Sequence, residues 1–156
     1  MPLVKRIWDL MDPNVETITP ETPLKEACAI LTGQTREKKG NLGLVVKRSS
    51  GEYLGLLTTK DILKYAIYLY NKAMREGKKE DWATQIRDYC KDESLITVND
   101  IIVHNEVFVR PNQNLFEVIQ IMDNHDLEVM PVVDTGKIIG MIRSADILGE
   151  IARSIL

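Results

Sequence analysis

Two cysteines and two histidines in 156 residues leave little material for a metal centre or a disulfide framework. Cys28 and Cys90 form no metal-type or redox-type pair, and Cys28 falls on an apolar helical stripe that suits a small hydrophobe. Long apolar runs are missing too, none approaching the about 20 residues of a membrane span. Met1 to Met11 interleaves Lys5, Arg6 and Asp9, which is not the pattern of a secretory leader, so a cytoplasmic protein is expected. There is no excess of positive charge. Twenty basic residues against 23 acidic ones give −3, and the dense Lys78-Lys79 pair runs directly into Glu80-Asp81. Proteins that grip a phosphate backbone concentrate basic residues on one face, so nucleic acid is not the expected partner. His104 and His125 have no second ligand at metal spacing, and Glu16 and Glu106 are not marked as an acid/base pair. No nucleophile with an attendant base assembles, which argues against an enzyme.

What the chain does have is a repeat. Leu24, Ala27, Cys28 and Leu31 match Leu115, Val118, Ile119 and Met122 at an offset of 91, both sets following the i, i+3, i+4, i+7 spacing of one buried helical face. Thr22-Pro23 reads as an N-cap and a first-turn proline, and Asn114 can cap the second helix. Val45-Val46 matches Val132-Val133 at 87, and Gly55-Leu56-Leu57 matches Gly140-Met141-Ile142 at 85. Upstream, Asp9-Leu10-Met11 matches Asp100-Ile101-Ile102. Each unit therefore reads as a lead-in turn of helix, a short strand, a helix, a β-hairpin and a closing helix. The fold class is α/β (α+β), with two βαββα repeats packed as one pseudo-twofold module. Residues 1–70 and 99–156 are the repeats, and 71–98 is a helical insertion containing Trp82, Ile86 and Tyr89 at helical spacing.

The segments Gly55-Leu56-Leu57-Thr58-Thr59-Lys60-Asp61-Ile62-Leu63 and Gly140-Met141-Ile142-Arg143-Ser144-Ala145-Asp146-Ile147-Leu148 resemble the signature of CBS domains. Asp9-Leu10-Met11 and Met130-Pro131-Val132-Val133 are also similar to that family. The resemblance implies a tandem pair, or Bateman module, with two clefts that take adenosine-containing ligands: AMP, ADP, ATP, S-adenosylmethionine or adenine dinucleotides. It further implies a homodimer that regulates a partner protein, with no cofactor required. The adenine ring would lie against the lead-in strands, around Val15 to Ile18, with Thr17 and Ile18, and around Val107 to Val109; plain core is the alternative reading of each of these residues.

The residues support a matching chemistry. Thr58 stands where a strand becomes a helix, and a helix N-terminus favours an anionic group. A phosphate there can take bonds from Thr58 and the amides, with charge from Lys60, while Asp61 suits two ribose hydroxyls. Thr58-x-x-Asp61 is also an ordinary capping arrangement. In the second copy Asp146 persists but Arg143 replaces the hydroxyl, so capping is not expected to explain the paired pattern. Arg143 either binds phosphate bidentately, with Ser144 restoring a hydroxyl, or fills the second cleft by pairing with Asp146. The competing expectation is a ligand-free dimerising scaffold.

Overall fold

The computed structural model describes residues 6–33, 43–77, 81, 83–84, 87–88, 96–102 and 107–155. The helix of Trp82, Ile86 and Tyr89 expected in the insertion lies outside them, as do Cys90, His104 and Glu106.

In the first copy, α1 (Ile7–Leu10) leads to β1 (Thr17–Ile18), α2 (Leu24–Leu31), the hairpin β2 (Gly43–Lys47) and β3 (Tyr53–Thr58), and the closing α3 (Thr59–Arg75). The second copy has α4 (Val98–Ile101), α5 (Leu115–His125), β4 (Val129–Asp134), β5 (Lys137–Arg143) and α6 (Ser144–Ile155). Asn114 caps α5 through the Glu117 N–H at 2.9 Å. The expected cap of α2 differs: Pro23 is the N-cap, and the Thr22 hydroxyl instead accepts from the Thr19 N–H at 3.1 Å, closing the turn before the helix. At the second hairpin Thr135 and Gly136 have φ of 47° and 79°. Two consecutive left-handed residues match the twist of the flanking strands, which is why glycine stands there.

β1 runs parallel to β2, which pairs antiparallel with β3; β4 and β5 pair antiparallel, and Val109 bridges to Val132 as Ile18 pairs with Val46. This register corrects the alignment of the second strand. Val46 faces Gly55 and Val132 faces Gly140, with a bulge immediately after each valine, so Val46 rather than Val45 corresponds to Val132. Both members of each valine pair are buried, so hydrophobicity could not tell the two registers apart.

The two lead-ins are exchanged. Ile7 is fully buried among Val118, Met130 and Ile142 of the second copy, and Trp8 donates its N–H to the Pro111 carbonyl at 3.1 Å. Asp12 and Met141 exchange two backbone hydrogen bonds of 2.8 Å. Reciprocally, Ile96, Val98 and Ile101 pack on Ile18, Leu24 and Leu57 of the first copy, and Val98 donates to the Thr22 carbonyl at 2.9 Å. A third cluster, Val45, Leu56, Val129 and Met141, joins the two sheets. Each such buried aliphatic contributes about 1.5–3 kcal/mol, so the copies fold as one body. The apolar faces of the closing helices are only partly used. Ile147 is buried in α6, but Leu148 and Ile155 are exposed.

Candidate functional site

The turn from β3 into α3 is a capping box. Thr58 donates both its N–H (2.9 Å) and its hydroxyl (2.8 Å) to Oδ2 of Asp61, and the Asp61 N–H donates back to Oγ1 at 3.2 Å. Both bonds to the carboxylate land on Oδ2, leaving Oδ1 outside the box. The capping reading of Thr58-x-x-Asp61 is thus realised.

In the second copy the carboxylate half of the box survives without a hydroxyl: Asp146 Oδ2 accepts the Arg143 N–H at 3.1 Å. The expectation that capping fails there is corrected, because a carboxylate at the third helical position needs only a backbone N–H to accept. Nor does the Arg143 side chain pair with Asp146. Its Nη1 lies 3.4 Å from Oδ2 of Asp12 in the exchanged lead-in. Ser144 lies instead in a groove of about 380 Å³ between α5 and α6, with Ile119, Met122, Leu148 and Ile151. That groove is apolar and bordered by Asp123, Asp126 and Glu128, an unsuitable lining for phosphate.

The Thr58 region lines a cleft between the copies, about 170 Å³ in volume. Leu56, Thr58, Lys60, Asp61 and Lys64 come from the first copy, and Val107, His125, Asp126 and Leu127 from the second. Lys60 forms an ion pair with Asp126 across the cleft. The hydrogen bond from Lys60 holds the Asp126 carboxyl below its ordinary value, and Asp126 holds the Lys60 amine above its own. Beside this cleft lies another of about 270 Å³, sharing Thr58, Lys60, Asp126 and Leu127 and reaching Leu63, Glu128 and Val129.

Of the lead-in positions expected at the ring, Val107 lines the cleft; its carbonyl accepts from the Tyr53 hydroxyl at 2.9 Å. Ile18 and Val109 do not line it, since both are buried in the two main cores, and Thr17 is exposed on the other face of its strand. In β1, period-2 alternation puts Thr17 and Ile18 on opposite faces, and the core takes the apolar one. Sequence reasoning missed Lys64, Asp126 and Leu127. Lys64 was legible one helical turn after Lys60; the other two come from the opposite copy, where no local signal marks them. Among the described residues, no group of three or more His, Cys, Asp or Glu side chains could hold a metal ion, and no helix is long and apolar enough to cross a membrane.

The family model for the CBS domain matches residues 4–68 and 98–153. The CBS domain-containing protein YhcV of Bacillus subtilis (strain 168) is 24% identical over 141 residues, covering 90% of this chain and 81% of its own length. The crystal structure of CBSX2 in complex with AMP superposes with a TM-score of 0.68 at 19% identity, covering 97% of this chain and 99% of that one. The CBS domain pair of protein MJ0100, in complex with 5-methylthioadenosine and S-adenosyl-L-methionine, does so with a TM-score of 0.67 at 19% identity, covering 96% and 98%.

Proposed function

The chain belongs to the CBS-domain family, and we propose that it is a regulatory module that binds an adenosine-containing nucleotide in the cleft between its two copies and alters its affinity for a partner protein. One observation carries this reading. Thr58, Lys60 and Asp61 stand together at a helix N-terminus, facing the apolar Val107 and Leu127 of the other copy. A phosphate at the turn takes charge from Lys60 and N–H donors from the helix start. The ribose meets Oδ1 of Asp61, and the ring rests on Leu56, Val107 and Leu127. Because the cleft walls come from both copies, a bound ligand shifts their relative arrangement by its differential affinity for the open and closed forms. That is how a non-catalytic module transmits a signal.

The second copy is the unequal partner. Ser144 lines the apolar groove between α5 and α6 and the Arg143 guanidinium is engaged with Asp12, so site one is the working site.

The test is a thermal-shift series on the whole chain with adenosine, AMP, ADP, ATP and S-adenosylmethionine against a guanine nucleotide. A shift of RT ln(1 + [L]/Kd) for adenosine compounds alone, lost in Asp61→Ala, is expected. Equal shifts in wild type and Asp61→Ala defeat the ribose assignment, and no shift with any adenosine compound defeats the sensor.

A second reading, the dimerising scaffold, is favoured by a different observation. Leu63, Ile67, Tyr70 and Met74 project from one face of α3, and Leu148 and Ile155 project at matching places on α6, all at least 41% exposed. This pseudo-symmetric apolar face suits a second copy of the chain. The sensor and a homodimer on this face are compatible; a dimer indifferent to every adenosine compound leaves the scaffold alone.

A further inference from the structure

The Lys60–Asp126 pair forms a common wall of the two small cavities. Both cavities are lined by Thr58, Lys60, Asp126 and Leu127, and neither reaches the about 300 Å³ at which ligand sites ordinarily begin. Lys60 sits on the first turn of α3, in the first copy, and Asp126 ends α5 in the second. Their side chains are 58% and 79% exposed, so either can swing into solvent without disturbing a core. Asp126 holds a left-handed conformation, φ 52°, at the C-terminus of α5.

We infer that the Lys60–Asp126 ion pair is a latch between the two copies that a ligand's phosphate opens by taking Lys60 from Asp126. The inference rests on the nucleotide reading above and adds a ligand class to it: anionic, phosphate-bearing adenosine compounds rather than neutral adenosine or the sulfonium of S-adenosylmethionine. Asp126 is a built-in competitor, occupying in the free protein the place that a phosphate takes in the complex. A ligand without phosphate leaves the latch closed and the two cavities separate. A ligand with several phosphates displaces Asp126 and joins them, and Lys64, one turn along the same helix and lining the same cleft, supplies a second cation to the chain of phosphates. The charges facing Lys60 include Asp61 and Glu128 as well as Asp126, so the competition is against a carboxylate environment in which Asp126 alone makes the hydrogen bond.

The experiment is titration calorimetry of the whole chain with adenosine, ATP and S-adenosylmethionine, and with inorganic tripolyphosphate as a probe that needs no adenine site. Asp126→Asn is the informative variant because asparagine accepts the left-handed backbone as readily as aspartate. It should tighten ATP and tripolyphosphate by about fivefold or more, leave adenosine unchanged, and give no gain in a Lys60→Gln background. Glu128→Gln removes a nearby carboxylate that makes no hydrogen bond to Lys60, and should give a clearly smaller gain. The latch is overturned if Asp126→Asn binds tripolyphosphate and ATP no tighter than wild type, if adenosine gains equally, or if Glu128→Gln gains as much. ATP binding no tighter than tripolyphosphate in every variant, with both tightened by Asp126→Asn, would overturn the nucleotide reading and leave the latch standing. Absence of tripolyphosphate and ATP binding in every variant overturns the latch.

Discussion

Arg143 Nη1 lies 3.4 Å from Oδ2 of Asp12, a residue 131 positions earlier that also pairs through its backbone with Met141. The second copy's departure from the family signature is therefore answered by the first copy's lead-in, with the two side chains about one-quarter and one-third exposed. A partly exposed pair of this kind contributes on the order of 0–1 kcal/mol. Asp12→Asn keeps the bond that Oδ1 accepts from the Asn14 N–H, so it should cost no more than about 1 kcal/mol. Denaturant midpoints of the variant and wild type measure this, and a larger loss would show that Arg143 is held chiefly by charge.

Ile7→Ala tests the exchange of lead-ins. Ile7 is fully buried in the second copy's core, so truncation should cost about 2–5 kcal/mol. Amide exchange should weaken first around Val118, Met130 and Ile142. Weakening confined to α2, β2 and β3 would contradict the exchange.

Gly140→Ala addresses the same contact from the other side. A Cβ at Gly140 would lie 2.7 Å from Met11 Sδ and 3.0 Å from the Asp12 carbonyl oxygen. The sulfur can move but the backbone must shift, and about 1–3 kcal/mol of destabilisation is expected. A melting point within error of wild type would mean that the lead-in yields freely.

Thr58→Ala removes one side of the capping box and should cost about 1 kcal/mol without any ligand. Thr58→Ser should restore it. Stability in the absence of ligand therefore has to be subtracted before any loss of nucleotide binding is read as a lost contact.

The Lys60–Asp126 pair makes a pH-dependent contribution. The Asp126 carboxyl is held below 3.8, so its share of stability is present above that value and lost as pH falls through the lower folded value. The Lys60 amine is held above 10.5, so its share is present below that value and lost as pH rises through the higher folded one. The difference in denaturant midpoint between wild type and Asp126→Asn should therefore persist at about pH 7 and shrink towards about pH 3, and should also shrink in high salt. A difference independent of both pH and salt would show that the variant acts through the backbone of the α5 terminus.

The repeat, the order of elements and the helix start at Thr58 and Asp61 were determined by sequence alone, because helix period, turn glycines and capping residues act within a few positions of themselves. Asn114 caps its helix, Thr135-Gly136 turns its hairpin, and neither needs the rest of the chain to do so. Which copy each lead-in packs on was not legible: Ile7 and Val98 are apolar residues in short helices, and either copy offers an apolar surface to cover. The one-residue shift at Val46 was equally hidden, since a buried valine follows or precedes each candidate. Asp126 and Asp12 carry no local mark at all. Their partners, Lys60 and Arg143, stand across the junction of the copies, and only packing the two repeats face to face brings those charges together.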